Sequence, residues 1–525
     1  MMCPILYRTA RYTDFQCFTA RPVRKARRRF FCFTGCLYAQ RMFEPVLGRL
    51  ADRLHLVAPD YPGLRQSDWP DPRVCLPLSA YWYGYFDLLG TGNANGSMRH
   101  FTKSMKPQLT QLSGTALLLL SICLAPPAHA QTTGDPTSTS WANSPYMLGD
   151  WGGERTALER SGIVFSFVSV NDFLEDTQGD VANWSRVRGT LDIDFGKAEL
   201  VQGLSFHITG LWQAGGNMGT YIGSIANPSS LVSADTTRLD SWWFQQALAH
   251  NKVFIRAGQF AGLDFYGNQL DGGSYIMEPL GYALGNLFAA DYESFDPAGT
   301  PAAEVRYVPS KHVYVKSAIF SGNRNPYRDD ISGVNFKFKD NPVIATEAGY
   351  LVDPTSSSTA KTYPGTYRFG ATTNPGPFPN IVTGHESSGN YLLYFMANQA
   401  VYRPEAGSDR GLDVNFAFDW TPDDITRNFS QITGGLRYRG LIPHRQRDAL
   451  SVGIVYSRIS GVLNQALSQE GLMPFGSEKA VEVNYAFQAT RWFTFQPVFQ
   501  YYFDTGGNTF SRNSTVAGFR TTFVM

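Results

Sequence analysis

From Gly162 to the C-terminus the chain alternates apolar and polar residues in short runs, separated by clusters of Gly, Asn, Asp and Pro. Successive side chains of a strand point to opposite faces, so this period of two predicts antiparallel strands. In TLDIDF, Leu191, Ile193 and Phe195 share one face, and Thr190, Asp192 and Asp194 share the other. LSFHIT sets Leu204, Phe206 and Ile208 against Ser205, His207 and Thr209. AVEVNYAFQA sets Val481, Val483, Tyr485 and Phe487 against Glu482, Asn484 and Gln488.

A soluble β-sandwich gives the same alternation with its apolar face inward. Other features favour a membrane barrel. About 395 residues of strand pattern without an internal repeat would make a very large sandwich, whereas a transmembrane barrel uses many strands of about 9 to 11 residues. Aromatics gather at run ends, in SWWF (241–244), RWFTFQ (491–496) and QYYFD (500–504), where interfacial girdles place them. No apolar run reaches the length of about 18 residues that a helical span needs, and in lipid a closed barrel is the other way to satisfy every backbone group. The final run, STVAGFRTTFVM, alternates Ala517, Phe519, Thr521, Phe523 and Met525 against Val516, Gly518, Arg520, Thr522 and Val524. It resembles the assembly signal of outer-membrane barrels, with Met525 where Phe is usual, a departure that bears on insertion efficiency rather than on fold.

Seventeen candidate runs can be counted, which would leave the two termini on opposite sides. Bacterial single-chain barrels have even counts. The weakest run, GVNFKF (333–338), lies among Asn, Asp and Gly, and assigning it to a loop leaves sixteen. The expectation is an all-β fold: a closed antiparallel transmembrane β-barrel of 16 strands over residues 162–525. An N-terminal periplasmic segment, 131–161, precedes it and carries a short helix at about 154–160.

Composition divides the chain. Thr115 to Gln131, TALLLLSICLAPPAHAQ, has the parts of an export signal: Arg99, Lys103 and Lys106, an apolar stretch over 116–125, and small residues around Ala128 and Ala130. Pro126 and Pro127 argue against a core helix there. Residues 98–130 are therefore read as a signal peptide starting at Met98 or Met105, with cleavage before Gln131. All six cysteines, Cys3, Cys17, Cys32, Cys36, Cys75 and Cys123, precede that cut, which excludes disulfides and thiolate metal sites from residues 131–525. Those residues hold 29 Lys and Arg against 37 Asp and Glu, so the near-neutral total hides an acidic chain behind a basic leader. Nucleic acid is not an expected partner, since its binding needs a basic footprint. No cofactor is expected. Residues 1–97 are read as an upstream extension outside the mature protein. Within them about 30–75, including LADRLHLVAPDYPGLRQSDWPD, resemble the N-terminal part of α/β-hydrolases. No G-x-S-x-G nucleophile elbow occurs anywhere in the chain, so a working hydrolase is not expected.

LGDWGGERTALERSGIVFSF, from Leu148, resembles the opening of the carbohydrate-selective porins, the OprB-like family, with its G-D-W-G-G-x-R-x-x-L-x-x-x-G signature. RLDSWWFQQ from Arg238, VFIRAGQF from Val253, YRGLIPHR from Tyr438 and GFRTTFVM from Gly518 match in order, so the resemblance spans about 148–525. It implies an outer-membrane porin of a Gram-negative bacterium that passes mono- and small oligosaccharides into the periplasm without chemistry. Expected partners are small sugars, outer-membrane lipid, the barrel-assembly machinery through the C-terminal strand, and further copies of the chain in a homo-oligomer. Alternatives are a general diffusion porin without sugar preference and, behind it, an outer-membrane barrel enzyme. Trp151 and Asp150 of the signature read better as an anchor and a helix cap than as solute contacts.

A channel for neutral sugars wants charged groups that exchange hydrogen bonds and aromatic faces for stacking. Charges must face the lumen, because Arg or Lys facing lipid costs about 2 to 4 kcal/mol at the midplane. Alternation nominates Asp192, Asp194, His207, Arg256, Arg306, Glu347, Arg368, Asp413, Glu482 and Arg520 as lumenal. The stretch 261–301 is long and rich in aromatics, as in Phe265, Tyr266, Tyr275 and Phe288, and should pack inside and narrow the bore. Arg238, Arg256 and Arg306 beside it are the constriction cations, Glu347, Asp192 and Asp194 the carboxylates. Trp212 and Trp242 are the aromatics, with Trp243 fitting an interfacial girdle equally well.

Overall fold

The computed structural model describes residues 141–525 except 268–273, 282–297, 324–325, 353–362, 406 and 511–512, together with four short strands upstream. In the upstream unit Arg8–Tyr12 pairs antiparallel with Phe15–Thr19, and Arg29–Cys32 pairs parallel with Leu54–Val57. The export signal expected at 98–130 lies outside the described residues.

Residues 163–524 form one closed barrel of sixteen antiparallel strands. They are β1 (Ile163–Asp176), β2 (Val181–Asp194), β3 (Leu204–Gly215), β4 (Thr236–Leu248), β5 (Val253–Phe260), β6 (Thr300–Ser310), β7 (Val313–Phe320) and β8 (Val343–Val352). The second half continues with β9 (Gly365–Pro379), β10 (Glu386–Tyr402), β11 (Gly411–Trp420), β12 (Asn428–Arg439), β13 (Ala449–Ile459), β14 (Glu478–Gln488), β15 (Phe493–Phe503) and β16 (Ser514–Val524). Each strand pairs with its sequence neighbours, and β16 closes on β1 with Arg520 opposite Asp172. The even number returns both ends of the barrel to the same side.

The run at 333–338 stays out of the ladder. Asp330 Oδ1 accepts the backbone N–H groups of Val334 and Asn335, both at 3.0 Å, and turns the chain there. The segment instead patches the wall beside β4, where β5 stops short at Phe260: Leu239 N–H donates to Ser332 O at 3.0 Å and Gln259 Nε2 to Gly333 O at 3.0 Å.

At the end holding the termini, a helix spans Glu154–Arg160. Asp150 Oδ1 accepts from Thr156 N–H at 2.9 Å and from its hydroxyl at 2.8 Å, fixing the first turn. Arg155 is buried beneath Tyr146, its guanidinium 3.2 Å from the ring centroid, and donates to Phe165 O at 2.8 Å and Met525 O at 3.1 Å. The signature thus ties the segment before the barrel to the first and last strands. Trp151, 43% exposed, sits at positive φ in the turn before the helix.

Candidate functional site

The inner wall is built by the parity of each strand. Its buried polar residues alternate as expected: Asp172 on β1, Arg186 on β2, Gln213 on β3, Arg256 on β5, Glu304 on β6, Glu347 on β8, Arg368 on β9, Asp413 on β11, Glu482 on β14 and Arg520 on β16. A wall of charge is stable only because each charge is paired or capped. Arg520 holds Asp172 at 2.6 and 2.7 Å, Arg256 holds Glu304 at 2.6 Å, and Arg437 holds Asp413 at 2.9 Å.

Two connections fold into the lumen. The first, 216–235, carries a helix at Met218–Ile222; the second, between β5 and β6, folds inward over its described residues 261–267 and 274–281, with helices at Gly262–Tyr266 and Glu278–Gly281. Tyr266 packs with Phe260, Phe265, Phe320 and Tyr394. Its hydroxyl lies 2.5 Å from Thr372 Oγ1 on β9, and Arg368 and Lys316 donate to the carbonyls of Tyr266 and Phe265. Farther round, Tyr275, Ile276, Met277 and Leu280 pack with Met218, Ile222 and Ala226 of the first connection and with Val455, Ala480, Val498 and Tyr502 of the wall. Tyr275 fits over Gly435 and Gly453, which face each other across β12 and β13. A Cβ at Gly453 would stand 2.9 Å from its ring, and one at Gly435 would collide with its hydroxyl.

The nominated residues divide accordingly. Arg306 faces the lumen half-buried, its guanidinium 4.4 Å from the Phe254 ring centroid, in a row where β6, β7 and β8 set Arg306 opposite Lys316 and Lys316 opposite Glu347. Asp192, its side chain half exposed, lies 2.7 Å from His207 Nδ1, and His207 Nε2 lies 2.9 Å from Thr209 Oγ1. Arg256 is largely covered: it donates to Asp264 O at 3.1 Å and sits 5.2 Å from the Trp243 ring and 4.3 Å from Phe260.

Five nominations need correction. Glu347 is sealed from water, held by Tyr314 Oη at 2.7 Å, Tyr394 Oη at 2.9 Å and Lys316 Nζ at 3.0 Å, so it organises the wall instead of meeting solute. Arg238 points inward, but its side chain is fully buried against Asp330 at 3.8 Å and Tyr327, where it holds the 326–330 connection. Asp194 caps the turn after β2 through Gly196 N–H at 3.0 Å and Lys197 N–H at 3.1 Å. Trp212 lies opposite Val187 and Thr237, one residue out of phase with the inward Leu211 and Gln213, so it faces out. Trp242 also faces out, against Phe336 at 5.3 Å, and Trp243 takes the lumen, stacked on His207 at 4.7 Å. The cause is a bulge at Asp240: the β3 register passes from Thr209–Ser241 to Gly210–Leu239, and the extra residue reverses the phase between Arg238 and the tryptophans.

Several inward charges lay outside the nominated set, among them Asp172, Arg186, Glu304, Lys316 and Arg437. Lys316 was legible from the alternation of Tyr314, Lys316 and Ala318 in VYVKSAIF. Arg188 shares the phase of Thr190 and Asp192 and was legible in the same way; its partner Asp240, 3.1 Å away, is the bulged residue of β4.

A closed antiparallel barrel with polar interior, apolar exterior and connections folded into its bore has the architecture of a channel protein of the Gram-negative outer membrane. The family model described as carbohydrate-selective porin, OprB family, matches residues 178–525, and the chain belongs to that family. It is 22% identical over 452 residues to porin B of Pseudomonas aeruginosa, covering 78% of this chain and 96% of that one. A high-pH structure of Pseudomonas putida OprB superposes with a TM-score of 0.67 at 19% identity, covering 73% of this chain and 99% of that chain.

Proposed function

We propose that the barrel is a passive outer-membrane pore for mono- and small oligosaccharides, and that passage involves no covalent step. The observation that carries this reading is the inward folding of 216–235 and of 261–267 and 274–281. They narrow the bore and leave water-facing groups of both signs on one stretch of wall, among them Arg188, Asp192, His207 and Arg306. A neutral sugar exchanges its water for hydrogen bonds to such groups at little net cost, while contacts this dispersed are weak enough to release it. Trp243 is flanked by His207 and Arg256, so hydroxyl recognition by the charged groups, more than stacking, supports selection.

Liposome swelling tests this. Mono- and disaccharides should enter faster than amino acids of equal size, and equal rates at equal size would mean general diffusion. Arg306→Ala should weaken the sugar preference and raise ion conductance with assembly unchanged. We also propose that 98–130 directs export and that the mature chain starts at Gln131. N-terminal sequencing of the outer-membrane form checks this, and peptides from 1–97 in that material would overturn it.

A further inference from the structure

Two carboxylates on β14 perform a task the pore reading does not assign. Glu478 and Glu482 are four residues apart on the inner face and almost fully buried, at 1% and 0% exposure. Neither makes an ion pair within 4 Å among the described residues; each closes instead on two consecutive backbone N–H groups of an inserted connection. Glu478 accepts from Ile225 N–H at 2.8 Å and Ala226 N–H at 2.7 Å, with Gly506 N–H at 2.7 Å as a third donor. Glu482 accepts from Ile276 N–H at 2.8 Å and Met277 N–H at 2.6 Å, and is steadied by Asn484 at 2.7 Å and Gln500 at 3.0 Å. The two connections are also bonded to each other: Ser230 N–H donates to Ile276 O at 2.7 Å and Glu278 N–H to Asn227 O at 2.9 Å.

We propose that Glu478 and Glu482 are the positioning residues that set the bore, a pair of docking posts that hold both connections in the lumen as one body. Burying a carboxylate is costly unless its lone pairs are filled. Here the connections' own amide groups fill them with charge-assisted hydrogen bonds, which withdrawing a connection would exchange for lumenal water, so the inserted arrangement is favoured. Because the connections share hydrogen bonds, each post supports the other's load. Loss of both should loosen the lumen by more than the two single losses combined.

This rests on the pore reading, and the test separates the two. Purified wild type, Glu478→Gln, Glu482→Gln, Glu482→Ala and the double Gln variant are compared in planar bilayers, with Glu175→Gln at the exposed rim as control. A companion assay follows cleavage within 261–299 by chymotrypsin, and heat-dependent gel mobility reports barrel closure. Glu482→Gln keeps the volume and one acceptor oxygen, and it carries the comparison if Ala does not assemble. The expected result is a closed barrel with raised conductance and about tenfold faster cleavage in Glu482→Ala, from the loss of a charge-assisted bond. Gln should fall between, and the double variant should exceed the product of the singles. Unchanged conductance and cleavage in the closed double variant would overturn the proposal. Failure of wild-type liposomes to admit sugars would overturn the pore reading alone, because conductance and cleavage do not depend on sugar.

Discussion

Arg520 grips Asp172 with Nε and one terminal nitrogen, at 2.6 and 2.7 Å, across the seam where the last strand meets the first. The residues are 4% and 2% exposed, and Ser229 Oγ donates to the same carboxylate at 2.5 Å. Removing one partner of a buried pair leaves an uncompensated charge, which costs about 3–5 kcal/mol. Arg520→Ala should therefore lower the temperature at which the folded band is lost on gels, and Asp172→Asn combined with it should recover part of the loss. A double variant as labile as the single would show that the pair is not what closes the seam.

Gly453 and Gly435 leave a hollow that Tyr275 fills, its hydroxyl 3.2 Å from Asn415 Oδ1 and from Leu436 O. Gly453→Val places branched carbon where the ring now sits. The expected outcome is an intact barrel with the 261–299 connection displaced, read as higher single-channel conductance and weaker discrimination by size. Tyr275→Ala should act in the same direction, and opposite signs for the two variants would refute the fit.

The residues from 131 onward contain no cysteine, so single cysteines report on wall phase. A water-soluble maleimide should label Asp192→Cys faster than Ile193→Cys, and Gln245→Cys faster than Phe244→Cys. The first pair checks β2 and the second checks the phase of β4 after its bulge. Faster labelling at 193 would reverse every face of β2, and faster labelling at 244 would remove the bulge from the account.

What the sequence determined by itself is the barrel. Alternation is a local property: Leu191 and Ile193 face away from Asp192 because successive side chains must, and a polar row in lipid must turn inward. The sixteen-strand count was likewise legible, since 333–338 lies among turn formers and Asp330 does cap it away from the ladder. Tertiary structure decided which inward charges meet water. Glu347, Asp192 and Arg306 look alike in sequence, yet Glu347 is sealed by Tyr314, Tyr394 and Lys316, while Asp192 stays half exposed. Partners from β7 and β10 bring about that difference, and no local pattern encodes them. One inserted residue at Asp240 exchanged the roles of Trp242 and Trp243, because a period of two carries a single phase error to the end of the strand.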